Sequence, residues 1–543
     1  MLRPKPLPFA TWLLLLVPTS TIAQAPPALK ATPYHTNGIY DLKETVGWTV
    51  SLPAGATAAA PIAYTVKKNN FGAPIKTGAL DLTNGPAKIE VSLDEPGMLY
   101  VQVGTPGRGW GRAGRGLALG AAVAPTKIPP ASPKPDDFDT FWNDKLKELA
   151  KIPANAELTP VPGGRPGVEL ATFKLDSVGG KAQGFFAKPK KEGKFPALVI
   201  LQWAGVYPLQ KNWAADRANQ GWLTIDVDAH DKTPTAPSAP GAPNNYNGVG
   251  MTDRNKAYFL NMYLRDYRAI DYITSRPEWD GKTLVLMGTS MGGQQSLCLA
   301  GLHPKVTHVI VDVPAGCEFS GPPKGRTPGY PNYPVNNNAA METGRYFDAV
   351  NFAPHVKATT LVGMGFIDTT SPPVGVWATF NEIPGPKEAA PMPESPHNNL
   401  ATQQQQLPFN RRSQQWLKAL VKGEAVTVDE DMAKPKKASA PLAPVEARKM
   451  VGKRITVRMA VRSAKDRLEH HGEIYLDAEK DFKDTKNFAV VITKAGAVSL
   501  KAAGIADPAE HFRDKTIHAT GTVKVVQDVP RIEIDDAKQI GLD

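Results

Sequence analysis

The chain has 543 residues, of which 42% are hydrophobic and 21% charged, with a formal net charge of +11. This composition excludes a disordered or fibrous protein and provides for about two to four ordinary domains. The basic residues are scattered rather than massed, which argues against a nucleic-acid partner. Cys298 and Cys317 are the two cysteines. They are too few for a disulfide framework, and each reads as a buried thiol at least as well as half of a bridge.

Arg3 and Lys5 precede a short apolar run, Phe9 to Val17. Thr21-Ile22-Ala23 or Ala23-Gln24-Ala25 then offers small residues for cleavage. Residues 1–25 read as a signal peptide, too short to span a bilayer, so the mature chain is expected to be secreted or periplasmic with no membrane span. Residues 26–126 lack helical periodicity. Strand-like runs at Val46 to Leu52, Ile62 to Lys67, Ile89 to Leu93 and Met98 to Val103 alternate with turn signals such as Asn84-Gly85, which predicts an Ig-like β-sandwich. A Gly- and Arg-rich patch, Pro106 to Gly116, reads as one of its loops.

Residues 127–428 carry the alternation of an α/β domain. Asp136 and Asp137 open an amphipathic helix that runs to about Ala150. Apolar strands are predicted at Pro196 to Gln202, Trp222 to Val227, Leu284 to Met287, His308 to Val313 and Thr359 to Met364. Helices are predicted at Tyr258 to Ser275 and Phe409 to Val421. Runs apolar along their whole length suit a mostly parallel sheet covered on both faces. Residues 429–444 read as a linker. Residues 445–543 hold five short strand-like runs with a helix before the fourth, which predicts an OB-like β-barrel. With 18 basic against 16 acidic residues and no dense aromatic run, this tail lacks a nucleic-acid signature. Its partner is left open.

Gly288-Thr289-Ser290-Met291-Gly292 stands between the strand at Leu284 to Met287 and a helix-forming run. This G-x-S-x-G arrangement is the nucleophile elbow of an α/β-hydrolase, where a sharp turn lifts the serine hydroxyl clear of the sheet. In that fold the acid and then the histidine follow the serine. Of the histidines after Ser290 in this domain, His303, His308 and His355 precede the strand expected to carry the acid. His397 follows it. Asp368 lies at the end of that strand, whereas Asp312 and Asp348 do not follow it. The expected triad is Ser290, Asp368 and His397. Pro391 and Pro393 count against a strand directly before His397. The oxyanion donors are expected to be the N–H groups of Met291 and of Val206, the latter placed after Gly205 in the loop Trp203 to Tyr207. Trp203, Tyr207 and Trp377 are candidates to line a substrate pocket. The chemistry needs no cofactor, and no metal-ligand spacing is visible.

From about Lys127 to Val421 the chain resembles the acetyl xylan esterases and cephalosporin-C deacetylases of carbohydrate esterase family seven. The resemblance rests on Pro135 to Trp142, Asp266-Tyr267-Arg268-Ala269, Ser275 to Asp280, Pro314 to Phe319, and Asp368 through Ser371-Pro372-Pro373 to Phe380-Asn381. It places the triad on the same three residues. The family carries Arg-Gly-Gln after the fourth strand, where this chain has Asp228-Ala229-His230. The resemblance implies a serine esterase that removes acetyl groups from decorated oligo- or polysaccharide; a homo-oligomer is one option it brings, and the oligomeric state is left open. The alternatives are a prolyl-oligopeptidase-like peptidase, for which the N-terminal region is too short to form a propeller, and a non-catalytic carbohydrate-binding protein on a hydrolase scaffold.

Overall fold

Neighbouring residues of the apolar runs point to opposite sides of one sheet, and both sides are covered. In the computed structural model, which describes residues 29–53, 56, 60–104, 116–162, 164–236, 245–397, 404–436 and 441–542, Ala197 and Val199 enter the core on one face while Leu198 enters the core on the other. The expected signal peptide lies outside the described residues, as does nearly all of the Gly- and Arg-rich patch. The chain divides into two compact units, Met1–Lys436 and Lys437–Asp543.

The larger unit begins with β1 (Lys30–Pro33), β2 (Ile39–Tyr40), β3 (Val46–Ser51), β4 (Ile62–Lys68), β5 (Pro74–Leu80), β6 (Ala87–Val91), β7 (Gly97–Gly104) and β8 (Gly116–Val123). They form a three-stranded sheet, β1-β3-β6, and a five-stranded sheet, β2-β8-β7-β4-β5. Tyr40, Trp48, Val66, Ile89, Leu99 and Val101 share one buried cluster drawn from both sheets.

A nine-stranded sheet follows. Its members are β9 (Glu157–Pro160), β10 (Val168–Ser177), β11 (Gly180–Pro189), β12 (Phe195–Leu201), β13 (Leu223–Asp228), β14 (Trp279–Thr289), β15 (His308–Asp312), β16 (Thr359–Gly365) and β17 (Lys387–Met392). The spatial order is β17-β16-β15-β14-β12-β13-β11-β10-β9. Strands β12 to β17 pair in parallel, whereas β9 to β11 add an antiparallel edge against β13. The antiparallel strands mix polar with apolar residues and so lack the continuous apolar runs that mark the parallel ones. Helices α1 (Phe138–Ala150), α3 (Tyr258–Ser275) and α4 (Met291–Leu302) contribute to the cluster on one face. The other face is covered by α2 (Lys211–Asn219) and by a later helix, Leu407–Val421, which buries Trp416 and Phe409.

Two expectations change. Pro391 lies inside β17, which among the described residues pairs only with β16, at the end of the sheet order. An edge strand has no second neighbour to receive the missing N–H, so proline is tolerated there. The expected linker also starts later than Asp429. Glu430–Ala433 forms a 3-10 turn, the Asp429 N–H donates to Glu388 Oε2 at 2.8 Å, and Asn37 joins the Lys434 carbonyl at 2.7 Å and the Lys436 N–H at 3.1 Å. These bonds tie residues 429–436 into the larger unit.

The smaller unit holds β18 (Arg454–Ala460), β19 (Ser463–Arg467), β20 (Glu473–Asp477), β21 (Ala489–Thr493), β22 (Thr516–Val526), β23 (Val529–Ile534) and β24 (Ile540–Leu542). Two helices, Lys494–Ala502 and Pro508–Phe512, lie between β21 and β22. The order is β18-β22-β23-β21-β20-β19, with β24 also on β22. The sequence pattern did not reveal β19, whose residues are mostly exposed, or the short β24.

Candidate active site

Strand β14 ends at Thr289 and α4 begins at Met291, so Ser290 alone makes the turn. Its φ of 56° and ψ of −121° are a conformation that side-chain-bearing residues rarely adopt. The surrounding backbone holds it there. The Ser290 N–H donates to the Asp312 carbonyl at 3.0 Å, and the Ser290 carbonyl accepts from Gln294 N–H at 3.0 Å and Ala315 N–H at 2.9 Å. The turn also needs both glycines. A Cβ on Gly288 would stand 2.3 Å from the carbonyl carbon of Gly292, and one on Gly292 would stand 2.1 Å from the carbonyl oxygen of Leu201.

Asp368 follows β16 and is fully buried. Its Oδ1 accepts from Thr370 N–H at 2.7 Å and Ser371 N–H at 2.8 Å, and its Oδ2 lies 2.8 Å from His397 Nδ1. His397 Nε2 lies 2.8 Å from Ser290 Oγ. With Nδ1–H facing a carboxylate, Nε2 is the nitrogen left to accept from the hydroxyl. His355 and Asp348 are occupied elsewhere. His355 sits near the surface at 3.1 Å from Asp139. Asp348 caps a helix start at Val350 N–H and accepts from Glu318 N–H. Asp312 is buried close by. Burial pushes its carboxyl up to about 7, partly opposed by His397 and reinforced by Asp368.

Met291 is the first residue of α4, so its N–H has no acceptor within the helix. Val206 follows Gly205, whose φ of 113° lies in the left-handed region that glycine tolerates. Gly205 is held from two sides. Its N–H donates to the Tyr246 hydroxyl at 3.1 Å, and its carbonyl accepts from His230 Nε2–H at 3.0 Å. His230 Nδ1 stands 3.0 Å from the Tyr258 hydroxyl, and burial brings this imidazole down to about 4, which keeps it neutral. The turn that carries His230 is fixed in its own right. Ala229 N–H donates to Gln202 Oε1 at 2.8 Å, and Arg265 Nη2 donates to the Ala229 carbonyl at 2.7 Å. The Tyr246 hydroxyl is also 2.6 Å from that of Tyr330, and both lie against Met291 Sδ.

Trp203 is 43% exposed, stacked on Tyr207 at 5.3 Å and tilted against Trp213 at 4.8 Å. Trp377 departs from expectation. It is fully buried in the helix Pro373–Glu382, edge-on to Phe380 at 5.5 Å, and presents no face to a pocket. That helix is apolar nearly all round, so an aromatic residue in it packs into the core. Cys298 and Cys317 are both buried free thiols. Tyr246 and Tyr330, which close in on Met291, carried no sequence signal. His230 was visible only as a departure from Arg-Gly-Gln.

A mostly parallel sheet covered by helices, with a strained serine between strand and helix, defines an α/β-hydrolase. Residues 126–322 and 330–418, more than half of the chain, match the acetyl xylan esterase (AXE1) family, and the chain belongs to that family of carboxylic ester hydrolases. It is 28% identical over 411 residues to the acetyl esterase Axe7A of Xylanibacter ruminicola, a match covering 72% of this chain and 90% of that one. Similar solved structures include the acetyl xylan esterase from Paenibacillus sp. R4, with 22% identity, a TM-score of 0.48, and coverage of 55% of this chain and 98% of that one. Another is acetyl xylan esterase 1 from Thermoanaerobacterium sp. JW/SL YS485, with 22% identity, a TM-score of 0.45, and coverage of 55% and 97%. Among the described residues, no helix is long and apolar enough to cross a membrane.

Proposed function

We propose that the protein removes acetyl groups from acetylated oligo- or polysaccharide by a serine mechanism at Ser290. The observation that carries this reading is the hydrogen-bonded series Ser290 Oγ, His397 and Asp368, with 2.8 Å at each step. Ser290 Oγ attacks the ester carbonyl while His397 Nε2 takes its proton. Asp368 fixes the tautomer and stabilises the imidazolium. The N–H groups of Met291 and Val206 receive the oxyanion. Collapse of the tetrahedral species passes the proton to the departing sugar hydroxyl and leaves an acetyl-serine. Water, activated by the same histidine, then releases acetate.

Trp203, backed by Tyr207, offers an exposed aromatic face for a sugar ring. The sequence pattern of residues 1–25 supports export of the mature chain to the periplasm or medium. The two N-terminal sheets, which share one apolar core, support the reading of an Ig-like sandwich. An OB-like reading of the C-terminal unit is supported by its strand order, in which β18 and β19, adjacent in sequence, stand at opposite ends.

The test is hydrolysis of acetylated xylo-oligosaccharides and of aryl acetyl, butyryl and octanoyl esters, with fluorophosphonate labelling of wild type and Ser290→Ala. Acetyl should be preferred over butyryl by a modest factor, since each methylene in a pocket is worth only about 1–3 kcal/mol. A preference for octanoyl, or equal labelling of Ser290→Ala, contradicts the proposal.

A further inference from the structure

The family match begins at residue 126, yet the N-terminal strands reach the loop that carries Asp368. The contact is made by the turn between β4 and β5. Asn69 and Asn70 both adopt positive φ there, at 54° and 58°, a conformation that asparagine tolerates better than other side-chain-bearing residues. Asn69 fixes the turn to β7, with its N–H donating to the Met98 carbonyl at 2.8 Å and its Oδ1 accepting from Met98 N–H at 3.1 Å. Asn70 is then turned inward and is 3% exposed. Its Nδ2 donates to the carbonyl of Asp368 at 2.7 Å and reaches that of Phe366 at 3.3 Å. Two facing carbonyls require the amide nitrogen, not the oxygen, on that side. Asn70 Oδ1 is buried without a partner among the described residues, so the amide gains hydrogen bonds on one side only.

Two glycines let the same region approach the acid loop. A Cβ on Gly120 would meet Phe366 Cβ at 2.5 Å and its carbonyl carbon at 2.9 Å. A Cβ on Gly38 would meet Pro393 at 3.0 Å and the Phe366 ring at 3.2 Å. The N-terminal strands therefore touch both Gly365–Asp368 and the chain leading from β17 to His397.

We infer that the N-terminal β region is an internal brace for the acid loop, with Asn70 a positioning residue that sets Asp368 against His397. The inference rests on the proposed roles of Asp368 and His397. The carboxylate is held at Oδ1 by two N–H groups of its own loop, while its backbone is held by Asn70 from outside that loop. Without the Asn70 bond the loop keeps the bond of Ile367 N–H to the Ser395 carbonyl at 3.2 Å but loses the one at Asp368 itself, so Asp368 can shift relative to His397. Errors of about 1 Å in such a constellation cost up to roughly a hundredfold in rate.

The test uses the full chain with Asn70→Gly, which keeps the left-handed backbone, and Asn70→Asp, which keeps the volume and conformation but turns an acceptor toward the two carbonyls. Turnover of 4-nitrophenyl acetate is normalised to fluorophosphonate-titrated sites, so only folded enzyme is counted. Both variants should lose roughly tenfold in kcat with KM changed less than about twofold. A loss in kcat without a matching change in KM separates misplacement of the acid from loss of folded enzyme or of substrate binding. Wild-type kcat in both variants overturns the inference, as does a lowered melting temperature with normal kcat per titrated site. Ser290→Ala runs alongside. Activity in that variant defeats the catalytic reading itself, whereas an inactive Ser290→Ala beside normal Asn70 variants defeats only the brace.

Discussion

Ser290 Oγ and His397 Nε2 stand 2.8 Å apart although 107 residues separate them in the chain. The elbow after β14 supplies one partner and the segment after the edge strand β17 supplies the other. Both strands run parallel, so their C-terminal ends meet on the same side of the sheet, where ligands of open α/β sheets collect.

Ser290→Ala should abolish hydrolysis of a small aryl acetate while leaving the thermal melt close to wild type. Members of such a unit act together, and removal of the nucleophile costs about a millionfold in turnover. Appreciable activity in the folded variant contradicts the assignment.

His397→Ala should be as inactive as Ser290→Ala, whereas His355→Ala should retain most activity, because His355 pairs with Asp139 near the surface. Steady-state rates of both variants decide the matter. A dead His355→Ala beside an active His397→Ala reverses the roles.

Gly292→Ala should destabilise the protein by at least about 2 kcal/mol and suppress activity, because its Cβ would be driven into the Leu201 carbonyl at 2.1 Å. Gly281→Ala, where a Cβ meets nothing within 4 Å but φ is 73°, should cost only the smaller backbone strain. Urea unfolding of the two variants measures the difference, and equal losses would show that crowding at the elbow is not the cause.

His230→Gln should flatten the acid side of the stability curve. In the folded chain this imidazole is brought down to about 4 by burial, below its ordinary value of 6.5. Between those two values the unfolded chain binds a proton that the folded chain does not, so stability present above about pH 6.5 is lost as pH falls toward 4. Glutamine has no such titration, and the drop in melting temperature from pH 7 to pH 5 should shrink. His308, also held near 4 by burial, should leave a residual slope in both proteins. An unchanged drop in the variant contradicts the neutral, buried state of His230.

Truncation after Lys436 should leave turnover of a small soluble ester essentially unchanged, since the smaller unit supplies none of the proposed catalytic groups. Truncation before Asp429 should lower stability, because it removes the bonds to Glu388 and Asn37. Comparing the two truncations by activity and melting temperature tests both statements. Loss of activity in a folded 1–436 chain would mean that the smaller unit helps to build the site.

The amino-acid sequence by itself determined the parallel core and the elbow, because both are local patterns. A strand buried on both faces must be apolar throughout, and the turn between strand and helix admits only glycine on either side of Thr289-Ser290-Met291. The order serine, acid, histidine along the chain was enough to nominate Asp368 and His397. Tertiary structure alone decided the rest, for reasons of distance and packing. The edge position of β17 makes Pro391 acceptable there, and no local window shows which strand is the edge. Trp377 is core and Trp203 is surface, although both are tryptophans in apolar surroundings, because burial is fixed by what packs from elsewhere. Gly205 is held by Tyr246 and His230, and Asp368 is reached by Asn70, across 41, 25 and 298 residues of chain. Side-chain hydrogen bonds of that span leave no periodicity or motif in the sequence, and they exist only once the sheets have brought the loops together.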